Sequence, residues 1–138
     1  MPISLDPRTF IHLLPKEREI WARFLPTIQF DAIRVDYDIH LGKGNPVPPG
    51  TPEYVRQQAQ ATTRKRCDAV AWFSESIVIY EVKDRAGMSA VGQLLNYKRL
   101  FVEEYKPALS VRMAVVCDRL EPDVLGSYEE AGIEVYVV

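Results

Sequence analysis

The clearest pattern along this chain is alternation. In residues 30 to 41, FDAIRVDYDIHL, the apolar positions Ile33, Val35, Tyr37, Ile39 and Leu41 fall on one face. Arg34, Asp36, Asp38 and His40 fall on the other, which is the pattern of a long strand with one wet face. Two shorter runs, 67–73 and 77–83, are apolar on both faces and flank a polar turn, so they read as a buried hairpin. Residues 111–117, VRMAVVC, are a further buried strand, and IEVYVV closes the chain as another.

Between these runs the period changes to that of a helix. In 13–25, Leu13, Leu14, Ile20, Trp21, Phe24 and Leu25 recur at helical spacing, with Pro15 suited to a first turn. The stretch 87–105 presents Val91, Leu94, Leu95, Leu100, Phe101 and Val102 as a core side. In 121–132, Pro122 belongs to a first turn and Gly132 is the stop. Residues 42–52, GKGNPVPPGTP, hold four prolines and three glycines and form a loop. TPEYVRQQAQA after it reads as a short helix, with Thr51 as cap and Pro52 as first residue. The main order, α-β-β-β-α-β-α-β, predicts an α/β (α+β) fold. A three-strand meander passes through a helical crossover into further strand, giving a mixed sheet flanked by helices.

Charges interrupt the apolar hairpin. Asp68 lies near the start of its first strand, and Glu81 and Lys83 project side by side from the end of its second. A turn at Glu75-Ser76 sets Asp68 opposite Lys83, and a turn from Phe73 to Ser76 sets it opposite Glu81. Either even-length turn gathers all three on one face, whereas a three-residue turn sends Asp68 to the other. Two converging carboxylates repel when both are ionised. They suit a hard divalent cation such as Mg²⁺, beside which Lys83 can position a water or steady a developing oxyanion. The alternative is a structural triad in which Lys83 bridges the two acids. Glu17 adds a further acid on the apolar stripe of the first helix, while Glu19 falls on its polar side.

Composition narrows the setting. The 138 residues fit a single domain spanning 1–138, with 47% apolar and 26% charged residues and a net charge of −2. That balance argues against a protein that coats nucleic acid through bulk positive charge. A local basic patch remains: Arg64, Lys65 and Arg66, with Arg56 upstream and Arg85, Lys98 and Arg99 downstream. Cys67 and Cys117 are far apart, form no CxxC pair and read as buried thiols, which suits a reducing, cytoplasmic setting. With only His12 and His40, a zinc site is not expected. No apolar run spans a membrane and no secretory signal is evident at the start.

Taken together, Asp68 in one strand, EVK (Glu81, Val82, Lys83) in the next and a helix after it resemble the PD-(D/E)XK nuclease superfamily. The likeness extends over essentially the whole chain, because the predicted element order looks like that superfamily's core. QLLNY, with Gln93 and Tyr97 four apart on one helix face, resembles the QxxxY motif of its exonuclease-type branches. Glu17 resembles the first-helix glutamate of many members. Cys67 stands where a proline often precedes the aspartate. The resemblance implies a metal-dependent DNA phosphodiesterase. Asp68, Glu81 and the Val82 carbonyl would hold Mg²⁺ or Mn²⁺. Lys83 would act on the attacking water and the phosphate, and Glu17 would assist the metal or Lys83. Gln93 and Tyr97 would contact nucleic acid or hold the site in shape. A non-catalytic docking module of the same fold in a nucleic-acid-handling assembly, of viral or mobile-element origin, is the alternative. A homodimeric junction-resolving or restriction-like endonuclease is a further form of the enzyme.

Overall fold

Strands that are apolar on both faces must be covered on both, and this requirement organises the molecule. The computed structural model describes residues 1–138. In chain order the elements are α1 (Pro15–Phe24), β1 (Arg34–Leu41), α2 (Glu53–Thr63), β2 (Lys65–Trp72), β3 (Ser76–Ala86), α3 (Met88–Tyr105), β4 (Ser110–Leu120), α4 (Leu125–Glu130) and β5 (Ile133–Val137). Short 3-10 turns at Pro7–Phe10 and Leu25–Thr27 flank α1. The sheet order is β1-β2-β3-β4-β5. The first three strands pair antiparallel, and β3–β4 and β4–β5 pair parallel. This is the mixed sheet expected from the element order, with α3 as the crossover.

Two apolar clusters cover the two faces. On one, Phe10, Ile20, Trp21 and Phe24 from the N-terminal segment pack on Ala71, Val78, Tyr80, Val82, Ala114 and Val116. Trp21 meets the Tyr80 ring edge-on at 5.2 Å between centroids. On the other, Val91, Leu94, Tyr97 and Phe101 of α3 and Tyr128 of α4 pack on Ile77, Ile79, Met113, Val115 and Cys117. Residues 77 to 82 of β3 are all buried, as its double-sided apolar pattern requires.

Several boundaries differ from the periodicity. β1 begins at Arg34 rather than Phe30, because the chain first closes a turn from Ile28, whose carbonyl accepts from Asp31 and Ala32. Phe30 and Ile33 are left exposed. Leu95 and Val102 are exposed rather than on the core side of α3: the helix turns about 100° per residue, and Leu94 and Phe101 already occupy the inward positions. α2 runs eleven residues, with Pro52 at its N-cap; the Thr51 hydroxyl donates to the Pro48 carbonyl instead of capping. α4 starts only at Leu125. Glu121 still pairs with Ala86 across the sheet, and Asp123 turns the chain with φ +64°. Gly132 ends that segment at φ +72°, as its position predicts.

The largest departure is in β1. Val35 and Tyr37 pack into the α1-side cluster, but Ile39 and Leu41 pack into the α3-side cluster. Asp38 between them has φ +52°, and it is the one position the β1–β2 pairing skips between Arg34↔Trp72 and Leu41↔Lys65. A single residue in the left-handed region rotates the strand by one step, so the apolar positions continue in sequence but change face. β2 makes the same change across Asp68: Ala69 belongs to the α1 side and Cys67 to the α3 side. The predicted single wet face therefore does not exist.

Candidate functional site

The face switch falls where the β2–β3 hairpin carries its charges. The pairing runs from Trp72↔Ile77 to Ala69↔Tyr80, which is the even register that sets Asp68 opposite Glu81. Beyond Ala69 the ladder is completed by side chains. The Val82 N–H donates to Asp68 Oδ2 at 2.9 Å, and the Asp68 N–H donates to Glu81 Oε1 at 3.3 Å. Each carboxylate thus takes the place of a backbone acceptor on the opposite strand, which fixes the two acids side by side. Lys83 Nζ lies 3.6 Å from Glu81 Oε2.

Burial sets the electrostatics. Glu81 is only 3% exposed and is the one charged residue in the buried core. Removal from water raises its pKa, and the neighbouring Asp68 raises it further, against a smaller opposing effect of Lys83. Asp68 is likewise raised, first by burial and then by the Glu17 carboxylate; the Val82 N–H and Lys83 act in the opposite direction. One cation therefore faces two carboxyls that burial drives toward protonation.

Glu17 is engaged locally, where its Oε2 accepts from the Leu14 N–H at 3.4 Å at the start of α1. From there it remains close enough to act on Asp68. Gln93 and Tyr97 share one face of α3, with Gln93 Nε2 donating to the Tyr97 hydroxyl at 3.5 Å. Tyr97 is buried, and its hydroxyl pKa is raised by burial, then by Glu81 and Asp68. Gln93 Oε1 is buried without a partner. The basic triplet divides. Arg64 is spent inside the fold, donating to the carbonyls of Gly42 and His40 at 2.7 and 2.8 Å and pairing with Glu104 at 3.3 Å. Arg66 grips Asp38 through two 2.8 Å hydrogen bonds and holds that carboxyl below the usual range. Lys65 alone of the three is without a carboxylate partner.

Sequence reasoning gave no role to His12. Its ring lies tilted by 48° against Tyr37, at 5.9 Å between centroids, beside Asp38 and the Asp68 backbone, and burial lowers its pKa. Its Nε2 is buried and unpartnered. An isolated histidine outside any strand or helix carries no periodic signal that would have placed it there.

The donor set near the strand ends is oxygen only. In an extended strand a residue's N–H and C=O point to the same neighbour. Because the Val82 N–H reaches Asp68, the Val82 carbonyl is directed to the same edge. Two carboxylates and a carbonyl suit a hard cation of the Mg²⁺ or Mn²⁺ type rather than zinc. No cluster of three or more His, Cys, Asp or Glu side chains with metal-holding geometry occurs in the chain, so such an ion would keep several waters.

No family model matches the chain, and no curated protein matches it. Among solved structures it is similar to an EndoMS–dsDNA2 complex, at 18% identity with a TM-score of 0.47, over 100% of this chain and 46% of that one. It is also similar to a repair endonuclease from Pyrococcus abyssi, at 16% identity with a TM-score of 0.46, over 100% of this chain and 49% of that one. The chain spans about half the length of each.

Proposed function

We propose that this chain is a metal-dependent nuclease domain that hydrolyses phosphodiester bonds in DNA. The observation that carries this reading is the Asp68–Glu81 pair, a half-buried and a buried carboxylate held side by side by each other's backbone, with Lys83 beside them. A structural role is met more cheaply by apolar residues, since buried like charges are costly. Mg²⁺ or Mn²⁺, held by Asp68, Glu81 and the Val82 carbonyl, would supply Lewis acidity and a ready nucleophile from water. Within that arrangement Asp68 and Glu81 bind in their ionised forms. Lys83 places a positive charge where the phosphate oxygens gain charge. Tyr97 and Gln93 wall the site on the α3 side, and Glu17 holds the start of α1 while adding negative potential at Asp68.

One observation favours a second reading. Lys83 already contacts Glu81 at 3.6 Å, and no third acid joins the pair. A non-catalytic docking module in a nucleic-acid-handling assembly would keep that contact as its permanent state. Fold alone does not choose between them.

The test is cleavage of labelled linear duplex, single-stranded and branched DNA in Mg²⁺, Mn²⁺ or EDTA, beside Lys83→Ala. Metal-dependent cutting, reduced by about 10²–10³-fold or more in the variant, is expected. Absence of cutting by the wild-type chain on every substrate, with no heat of metal binding in calorimetry, overturns the nuclease in favour of the module.

A further inference from the structure

An open cleft of ≈ 190 Å³ lies between residues 42–45, the start of β2 and the middle of α3. Its ten lining residues include Lys43, Lys65 and Arg99 and no acid, although the chain as a whole is net negative. Neither lysine takes part in any ion pair. Arg99 pairs with Glu103 at 3.0 Å along the helix. Glu104, the acid bound to this loop, is already engaged by the Gly42 N–H and Arg64. Asn45, Thr63 and Asn96 add neutral polar groups to the wall.

The cleft is held in shape. Gly42 and Gly44 have φ +81° and +77°, so the loop folds back on itself in a way that L side chains resist. A Cβ on Gly44 would collide with the Gln60 carbonyl, which shows how closely the loop presses on α2. Thr63 Oγ1 accepts from the Asn45 N–H at 2.6 Å, and Arg64 clamps the Gly42 carbonyl. The two unpaired lysines therefore project from anchored backbone.

The cleft also opens on the side of the sheet that carries Glu81 and Tyr97. Beyond the face switch, Leu41 and Cys67 belong to the α3-side cluster, and Lys65 alternates with Cys67. Lys65 precedes Asp68 by three residues, about 10 Å along an extended strand. A nucleic-acid backbone covers that distance in a few nucleotides.

We propose that this cleft is an anion site that holds a backbone phosphate of the bound nucleic acid, a few nucleotides from the one at Asp68 and Glu81. The nucleic-acid part of this inference rests on the nuclease reading; the anion site itself does not. Lys43 and Lys65 supply the charge, and the anchored loop supplies the shape. Specificity for base sequence is not expected, since contacts to phosphate position a strand without reading it.

The first arm of the test is a titration of the ¹⁵N-labelled 138-residue chain with inorganic phosphate. The amides of residues 43–45 and 65 should shift, and the shifts should disappear in the Lys43→Ala/Lys65→Ala double variant with its melting temperature unchanged. The second arm measures binding of labelled DNA in EDTA as a function of salt. Because the cleft holds one phosphate, the double variant should lower the slope of log K against log salt by about 0.9 on duplex or about 0.7 on a single strand. No phosphate shift at these amides overturns the anion site. Phosphate shifts with an unchanged salt slope, or with no DNA binding by the wild type, overturn its role toward nucleic acid. A reduced slope in a chain that never cuts DNA removes the proposed catalysis and leaves this site standing.

Discussion

Replacing Glu81 by Gln should stabilise the metal-free protein at alkaline pH while abolishing its response to divalent cations. Glu81 is 3% exposed, and its pKa is raised by burial and then by Asp68. A carboxyl whose folded pKa lies above its unfolded one favours folding in its protonated form. Its contribution is complete below the unfolded value and is lost as pH rises through the folded one. Asp68 shifts in the same direction and adds to the effect. The glutamine keeps an oxygen for the Asp68 N–H, now 3.3 Å from Oε1, and removes the charge. Lys83 loses its partner, but its side chain is 26% exposed and turns to water. Relief of a buried, imperfectly paired charge is of order 1–3 kcal/mol. At about 4 °C per kcal/mol for a chain of this size, the melting temperature at pH 8 should rise by about 4–12 °C. The gain should vanish near pH 4. In the wild type, Mg²⁺ or Mn²⁺ at about a hundred times its Kd should add roughly 2.7 kcal/mol, an increment that grows with pH because binding needs the ionised acids. The assay is differential scanning fluorimetry from pH 4 to 9, with metal and with EDTA. A metal-free E81Q less stable than wild type at pH 8, or a wild type indifferent to both cations at every pH, refutes the argument.

Other consequences are simpler to check. Asp38→Val forces a β-branched residue to φ +52° and frees Arg66, so urea denaturation should show a loss of about 1–2 kcal/mol or more from the backbone alone. Tyr128→Phe removes the hydroxyl that donates to the Gly87 carbonyl at 2.6 Å inside the core, and leaving that carbonyl unpaired should cost about 1–3 kcal/mol in the same measurement. Gly44→Ala drives a Cβ into the Gln60 carbonyl at a positive φ, so hydrogen exchange should accelerate at residues 42–45 while β3 and β4 stay protected.

Much of the architecture was legible along the chain because it depends on local period. Runs apolar on both faces became β3 and β4, the helical stripes became α1 and α3, and their order sufficed for a mixed sheet. The candidate pair was legible too, since any even turn brings Asp68 and Glu81 to one face; it took the Trp72↔Ile77 pairing to choose between the two even registers. Alternation itself misled at the start of β1, where a turn from Ile28 leaves Phe30 and Ile33 exposed, and where one residue left the extended region. Asp38 at φ +52° moves Ile39 and Leu41 to the opposite face without changing the apolar pattern, and aspartate tolerates that conformation too quietly to announce it.

The fate of the charges was decided in three dimensions. RKR is one basic run in the sequence, yet Arg64 is a clasp on the 42–45 loop, Arg66 neutralises Asp38 and only Lys65 stays free. Lys43, far earlier in the chain, joins Lys65 because α2 and β2 return the chain to the loop. Charged side chains have no period that reports their partners. Whether a cation is spent on the fold or left for a ligand depends on which acids the tertiary structure brings within reach, and that information is spread over segments far apart in sequence.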